Sequence, residues 1–411
     1  MTDRGSEGIN DLGRPKKSMH DSDDTGRTRR RFLRAAAAAG VIGVAGCNTP
    51  GEGGDGTGTA TEGATDSDGG GTDSPEQIGS GRSPFGDREV GGTTIEEMPD
   101  LEGELTVYSG RGEALVGELV GFIEDRYSDF TVRPLYNTAA ELVSQIETEG
   151  ANSPADVFYS VNAGALGTLA ERGRTQTLPQ EVLEFVPSNF RDPDGEWLGT
   201  SGRARSIPYN TDTFSASDIP TDIMSFPDTD AFAGEIGWTP TYSSFQAFIT
   251  AMRILEGEDA TREWLNGMQE LGVSAYGDEF QISRAVADGE VSVGLANHYY
   301  VQRVVARRSN APLATAFTRN DAGAIFNVAG ACVLDTASDS TLASNFVRHL
   351  LSAEAQDYFA RSTFEYPLVP AVDPIGRLPP IDELNPPENV DLSQLADLEE
   401  TISLLRETGA L

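Results

Sequence analysis

The sequence predicts an α/β protein with room for two lobes. Short apolar strands alternate with amphipathic helices in a βαβαβ order, the pattern of a parallel sheet with crossover helices. That alternation fills about 300 of the 411 residues, more than one compact domain of ordinary size requires.

The elements follow in order. Leu105-Thr-Val-Tyr108 reads as the first strand and 114–126 as the helix after it. Thr131-Val-Arg-Pro-Leu135 is the second strand. The helix over 138–149 opens at a Thr with Glu141 three residues on, the signature of a capping box. Asp156-Val-Phe-Tyr-Ser160 is the third strand, with 163–172 helical behind it. The second half repeats the style, with strands at 237–239 and 291–296 and helices over 244–256, 260–271 and 281–288. Helices over 342–351 and 353–361 close the pattern. Phe326-Asn-Val-Ala-Gly-Ala-Cys-Val-Leu334 is an apolar strand in which Cys332 is expected to be a buried, inert thiol.

The N-terminus reads as an address. Thr28-Arg-Arg-Arg-Phe-Leu-Arg34 has the form of a twin-arginine export motif, and the apolar run 35–45 is too short to span a bilayer. It ends in Val44-Ala-Gly-Cys47, a lipobox pattern, so residues 1–46 are expected to be removed and Cys47 to carry lipid. Residues 47–100, rich in Gly, Thr, Ser, Asp and Glu, have too little apolar area to offset chain entropy, and are expected to form a flexible tether.

The formal net charge is −35. Residues 1–46 hold nine Lys/Arg and six Asp/Glu, a net +3, so their removal leaves −38. Both lysines, Lys16 and Lys17, lie in that segment. An acidic, lysine-free chain suits molar salt, where screening shortens the Debye length to about 3 Å; it argues against nucleic acid as a partner. No Ser-His-Asp arrangement, phosphate loop or Cys/His zinc spacing is present, so no chemistry on a substrate is expected.

Three phenols stand out. Tyr299 and Tyr300 are adjacent in Asn297-His-Tyr-Tyr300, and Tyr242 lies in Thr239-Pro-Thr-Tyr-Ser-Ser-Phe245. Phenolate is a hard oxygen donor, and a free phenol ionises only near pH ~10, so a highly charged ion must drive the proton off. Fe(III) fits such a cluster best. Neighbouring tyrosines on a regular strand face opposite ways, so the pair needs a loop or a helix start.

Together with Leu105-Thr-Val-Tyr-Ser-Gly-Arg111, Ser153-Pro-Ala-Asp-Val-Phe-Tyr159 and Glu365-Tyr-Pro-Leu368, these segments resemble the periplasmic ferric-ion-binding proteins of ABC importers, over about residues 104–405. The resemblance implies a type II periplasmic-binding-protein fold with a cleft between lobes. Lobe 1 would hold 101–205 and 330–380, lobe 2 206–329 and 381–411, with crossings near 205–210 and 317–330. It implies Tyr242, Tyr299 and Tyr300 as ligands of Fe(III). Where many relatives carry a His and a Glu in the first lobe, this chain has Gly112 and Val161. The pattern therefore resembles the subgroup in which three tyrosines and a bound carbonate or bicarbonate complete the shell. Arg111, Arg203, Ser243 and Ser244 are candidates to hold that anion, with Asn297, His298 and Arg205 behind them. The resemblance further implies a monomer, a permease and an ATPase as partners, and a lipid-anchored position outside the cell membrane. The same fold also binds thiamine, polyamines or phosphonates, and a surface-anchored enzyme or interaction domain is the reading from another class.

Overall fold

The computed structural model describes residues 77–79 and 88–411, apart from 389 and 397. The export motif, the lipobox with Cys47 and most of the expected tether lie outside the described residues, but the described part of that tether is not free chain: Ile78 and Ile95 are buried in the first apolar core and Arg88 pairs with Asp357 at 2.7 Å, because these apolar and charged side chains find partners on the folded domain.

The first part of the chain builds strands β1 (Gly103–Ser109), β2 (Phe130–Tyr136) and β3 (Val157–Ser160), joined by helices α1 (Glu113–Arg126) and α2 (Ala139–Glu149). The three strands pair in parallel in the order β2-β1-β3, as the βαβαβ pattern predicts. Thr138 caps α2, its hydroxyl accepting from the Glu141 N–H and donating to the Glu141 carboxylate, but the reciprocal half of a capping box is not made, because the Thr138 N–H is taken by the Asn137 side chain at 2.8 Å. Helix α3 (Ala163–Glu171) starts at Asn162, whose side chain accepts from the Ala165 N–H at 2.9 Å. A short strand β4 (Thr175–Gln176) and helix α4 (Gln180–Leu183) follow.

The long strand β5 (Leu198–Asn210) then carries the chain from one apolar core to another. Ala204 belongs to the first core and Ile207 to the second. The chain then forms β6 (Ile236–Trp238), α5 (Ser243–Glu256), α6 (Glu258–Glu270), β7 (Ser274–Ala275), α7 (Glu279–Asp288), β8 (Val293–Gly294), β9 (Ala296–Asn297), α8 (His298–Arg307) and β10 (Leu313–Ala316), of which β6, α5, α6 and β8 supply buried residues of the second core. Helices α7 and α8 share a satellite cluster through Ile282, Val286, Val301 and Val304. The return is β11 (Phe326–Leu334): Ile325 packs in the second core, Phe326 in the first. Helices α9 (Ser340–His349) and α10 (Ala353–Tyr358) and strand β12 (Tyr366–Pro367) complete the first core. Leu392 then packs against both cores, and α11 (Glu399–Glu407) docks on the second through Leu404 and Leu405.

The sheet is mixed rather than purely parallel. Strands β5 and β11 pair with each other antiparallel, and β11 runs antiparallel to β3. The reason is connectivity: β5 leaves the first core and β11 re-enters it, so the crossing strands must run in opposite senses. The expected strand over 291–296 is broken into β8 and β9, which pair with different parts of β5.

Cys332 is wholly buried on β11 and unpaired, and burial pushes its thiol up. His349 is buried at the end of α9, its Nδ1–H donating to the Asn345 carbonyl at 2.7 Å and its Nε2 accepting from the Tyr127 hydroxyl at 2.9 Å. Burial outweighs these bonds and holds its pKa down at about 4. The unfolded imidazole takes up its proton near pH ~6.5, the folded one only near 4, so protons favour the unfolded chain below ~6.5. Stability is expected to fall between these values by up to about 3 kcal/mol from this residue. In denaturant unfolding at constant salt, His349→Gln is expected to flatten that part of the pH–stability curve.

Candidate metal centre

Two helix starts bring the three tyrosines together. Tyr242 is the N-cap of α5, and Tyr299 and Tyr300 are the second and third residues of α8. Successive helical residues are turned by about 100°, so the pair can converge where a strand would splay it. The Tyr299 and Tyr300 ring centroids are 4.3 Å apart. The phenol oxygens of Tyr242 and Tyr300 meet at 2.5 Å, close enough to share a proton. Tyr299 and Tyr300 are only 9 % and 7 % exposed.

Burial dominates the electrostatics. It pushes the Tyr299 phenol up, opposed by the nearby Arg203 charge. It pushes Tyr300 up as well, helped by Tyr299 and Tyr242. A lone phenolate is therefore disfavoured here, and a cation must supply the compensating charge. Besides Arg203, a second cation lies close: the Arg303 guanidinium is 5.3 Å from both ring centroids, one helical turn along α8. Among the described residues no group of three or more His, Cys, Asp or Glu could hold a metal ion, which leaves the phenols as the hard donors.

The other candidates divide. Arg203, Ser243, Ser244 and Asn297 line one cavity together with Asn162 and Asn327. Arg203 donates to the Val161 carbonyl, while its buried Nε has no partner. Ser244 hydrogen-bonds Glu279, and so does Arg205, at 2.5 Å from Nη1. Arg205 is buried among Phe245 and Phe248, and that burial lowers its pKa. His298 is fully buried with its ring edge-on to that of Tyr299 at 5.8 Å, its Nδ1 lies 3.1 Å from the Ala204 backbone nitrogen, and burial holds its pKa at about 4.

Arg111 does not fit the expectation of an anion donor. It is 1 % exposed and donates to Glu365 at 2.6 Å and to Ser201 at 2.9 Å. Burial alone would raise the Glu365 carboxyl, but Arg111, then Arg203, hold it below the usual carboxylate range. A π-helical turn, Phe359–Thr363, ends at Phe364 with φ 63°, a strained value for a bulky residue. That turn delivers Glu365 to Arg111, with Thr363 adding a hydroxyl at 2.9 Å. The physical reason is charge: a buried guanidinium must find a carboxylate, and 254 residues of chain separate this one from it.

Sequence reasoning missed Glu279, Arg303 and the partnership of Glu365. The spacing of Arg303, three and four residues after the tyrosines, would have shown it once α8 was recognised. Glu279 has no such signal, since an acid in the first turn of a helix is ordinarily a solvated complement to the helix dipole.

Residues 152–392 match the bacterial extracellular solute-binding protein family. The chain is 31% identical over 317 residues to the major ferric iron-binding protein of Neisseria meningitidis, covering 74% of this chain and 93% of that one. It superposes on iron-bound HitA from Pseudomonas aeruginosa with a TM-score of 0.64 at 30% identity, covering 76% of this chain and 100% of that chain. The Trichodesmium protein IdiA (FutA), in complex with iron and citrate ligands, gives a TM-score of 0.64 at 28% identity, covering 75% and 99%. This chain thus belongs to the bacterial extracellular solute-binding proteins, in the company of ferric iron-binding relatives and with their two-lobed α/β fold.

Proposed function

We propose that this protein captures Fe(III) outside the cell with the phenolates of Tyr242, Tyr299 and Tyr300 and delivers it to the permease and ATPase of an ABC importer. The observation that carries this is the 2.5 Å contact of the Tyr242 and Tyr300 oxygens beside Tyr299. Three phenolates balance a trivalent ion, which meets the charge demand of so buried a site. An organic solute is disfavoured: the hydroxyls converge, and the ring faces are already taken by Arg303.

A carbonate ion would complete the shell. Arg203 faces the cavity with a free buried Nε, and the starts of α5 and α8 carry no side-chain cap, so their N–H groups suit an anion. Ser243 and Asn297 line the same space. Arg111 instead braces the first lobe. Closure of the two lobes about the crossing strands would enclose the ion, and opening would release it. Twin-arginine export, a lipid on Cys47 and a monomeric state adapted to high salt complete the reading.

The test is a visible absorption titration of the protein with Fe(III) citrate, with and without bicarbonate. A phenolate-to-iron charge-transfer band that saturates at one equivalent and strengthens with bicarbonate is the expected result. In Arg203→Met the band is expected to lose its response to bicarbonate. A colourless titration of the unaltered protein would overturn the Fe(III) assignment.

A further inference from the structure

Behind the phenols, separate stretches of chain meet at one carboxylate. Glu279 opens α7 and is wholly buried. Its Oε1 accepts from Nη1 of Arg205 at 2.5 Å and from the Ser244 hydroxyl. Its Oε2 accepts the backbone N–H of Asn297 at 2.8 Å. Each partner has a distinct place. Ser244 is two residues after Tyr242, Asn297 is two before Tyr299, and Arg205 lies on β5, the strand that joins the two cores.

We propose that Glu279 is the positioning residue of this site, holding the starts of α5 and α8 in register so that the three phenol oxygens converge, and tying that register through Arg205 to the crossing strand. This rests on the Fe(III) reading above. The position of the carboxylate is itself fixed, because α7 packs against α8 through Ile282, Val286, Val301 and Val304. Asp278 caps α7 from the preceding residue, so Glu279 is not needed as a helix cap and is left for its inward contacts.

The charge of Glu279 works against the phenolates, since a negative group near Tyr299 disfavours its ionised form. Fe(III) with three phenolates carries the same net charge as three neutral phenols, so by charge alone removing Glu279 would change iron affinity little. Positioning predicts a loss, because groups that orient metal ligands typically cost 10–100-fold in affinity when lost.

The experiment compares the wild type, Glu279→Gln and the double variant Arg205→Met/Glu279→Leu. The double variant leaves neither charge buried alone, an exchange that proteins often tolerate. Iron affinity is read by competition with citrate, ligand geometry by the position and intensity of the visible band, and folding by cooperative thermal unfolding. A wild type without the band would sink the Fe(III) reading and with it this one. Given the wild-type band, both variants are expected to fold, to bind Fe(III) about 10–100-fold more weakly, and to show a weakened, shifted band. Wild-type or tighter affinity with an unchanged band in a folded variant overturns the proposal. A double variant that no longer folds overturns it too, by making the pair a determinant of the fold rather than of the site.

Discussion

Tyr300→Phe is expected to abolish iron retention while leaving the protein folded. The substitution removes one oxygen and no ring, so the contacts with Tyr299, Tyr242 and Phe280 keep their apolar part. What is lost in the iron-free protein is the short hydrogen bond to Tyr242, a net change of about 1 kcal/mol. What is lost in the loaded protein is one of three charges needed to balance the ion in a site that admits little water. That loss should exceed the roughly 100-fold cost seen when only supporting groups are removed. Tyr299→Phe should behave alike. Metal content after dialysis against citrate, together with the visible band, measures both. Undiminished retention in the two variants would remove the tyrosines from the ligand set.

Arg111→Met is expected to act on the fold instead. Taking away one partner of a fully buried pair typically costs about 3–5 kcal/mol, because the remaining charge is stranded. Here Glu365 would keep the hydroxyls of Ser201 and Thr363 as hydrogen-bond partners and only the more weakly acting Arg203 as a compensating charge. Arg111 also lies 5.5 Å and 5.4 Å from the ring centroids of Tyr159 and Phe359, so its apolar stem and cation both contribute packing. Arg111→Met/Glu365→Gln should recover much of the loss, since no charge is then left alone. Denaturant unfolding of the three proteins decides it. A single variant as stable as the parent, with its response to bicarbonate lost, would restore Arg111 to the anion site.

The two halves of the site were not equally legible. Tyr242, Tyr299 and Tyr300 could be picked out because phenols are rare donors and their setting, after strands of an α/β pattern, is where such folds bind ligands. The strands β1, β2 and β3 and the cap at Thr138 were equally legible, since strand patterning and a helix cap each depend on residues a few positions apart. The arginines were not. An arginine is compatible with a cleft, a solvated surface or a buried pair, and only the fold selects among them. It placed Arg203 at the cavity, Arg205 on Glu279 and Arg111 on Glu365.

By itself, the sequence determined the alternation of strands and helices and the acidic composition, and it singled out three tyrosines as proposed hard donors, because periodicity, charge and ligand chemistry are properties of short segments. Only the tertiary structure decided that Tyr299 and Tyr300 begin a helix, that the crossing strands turn the sheet antiparallel, and that Glu279 and Glu365 are the partners of Arg205 and Arg111. Those features join residues tens to hundreds of positions apart. Buried charges accept only partners that the whole fold brings within hydrogen-bond distance.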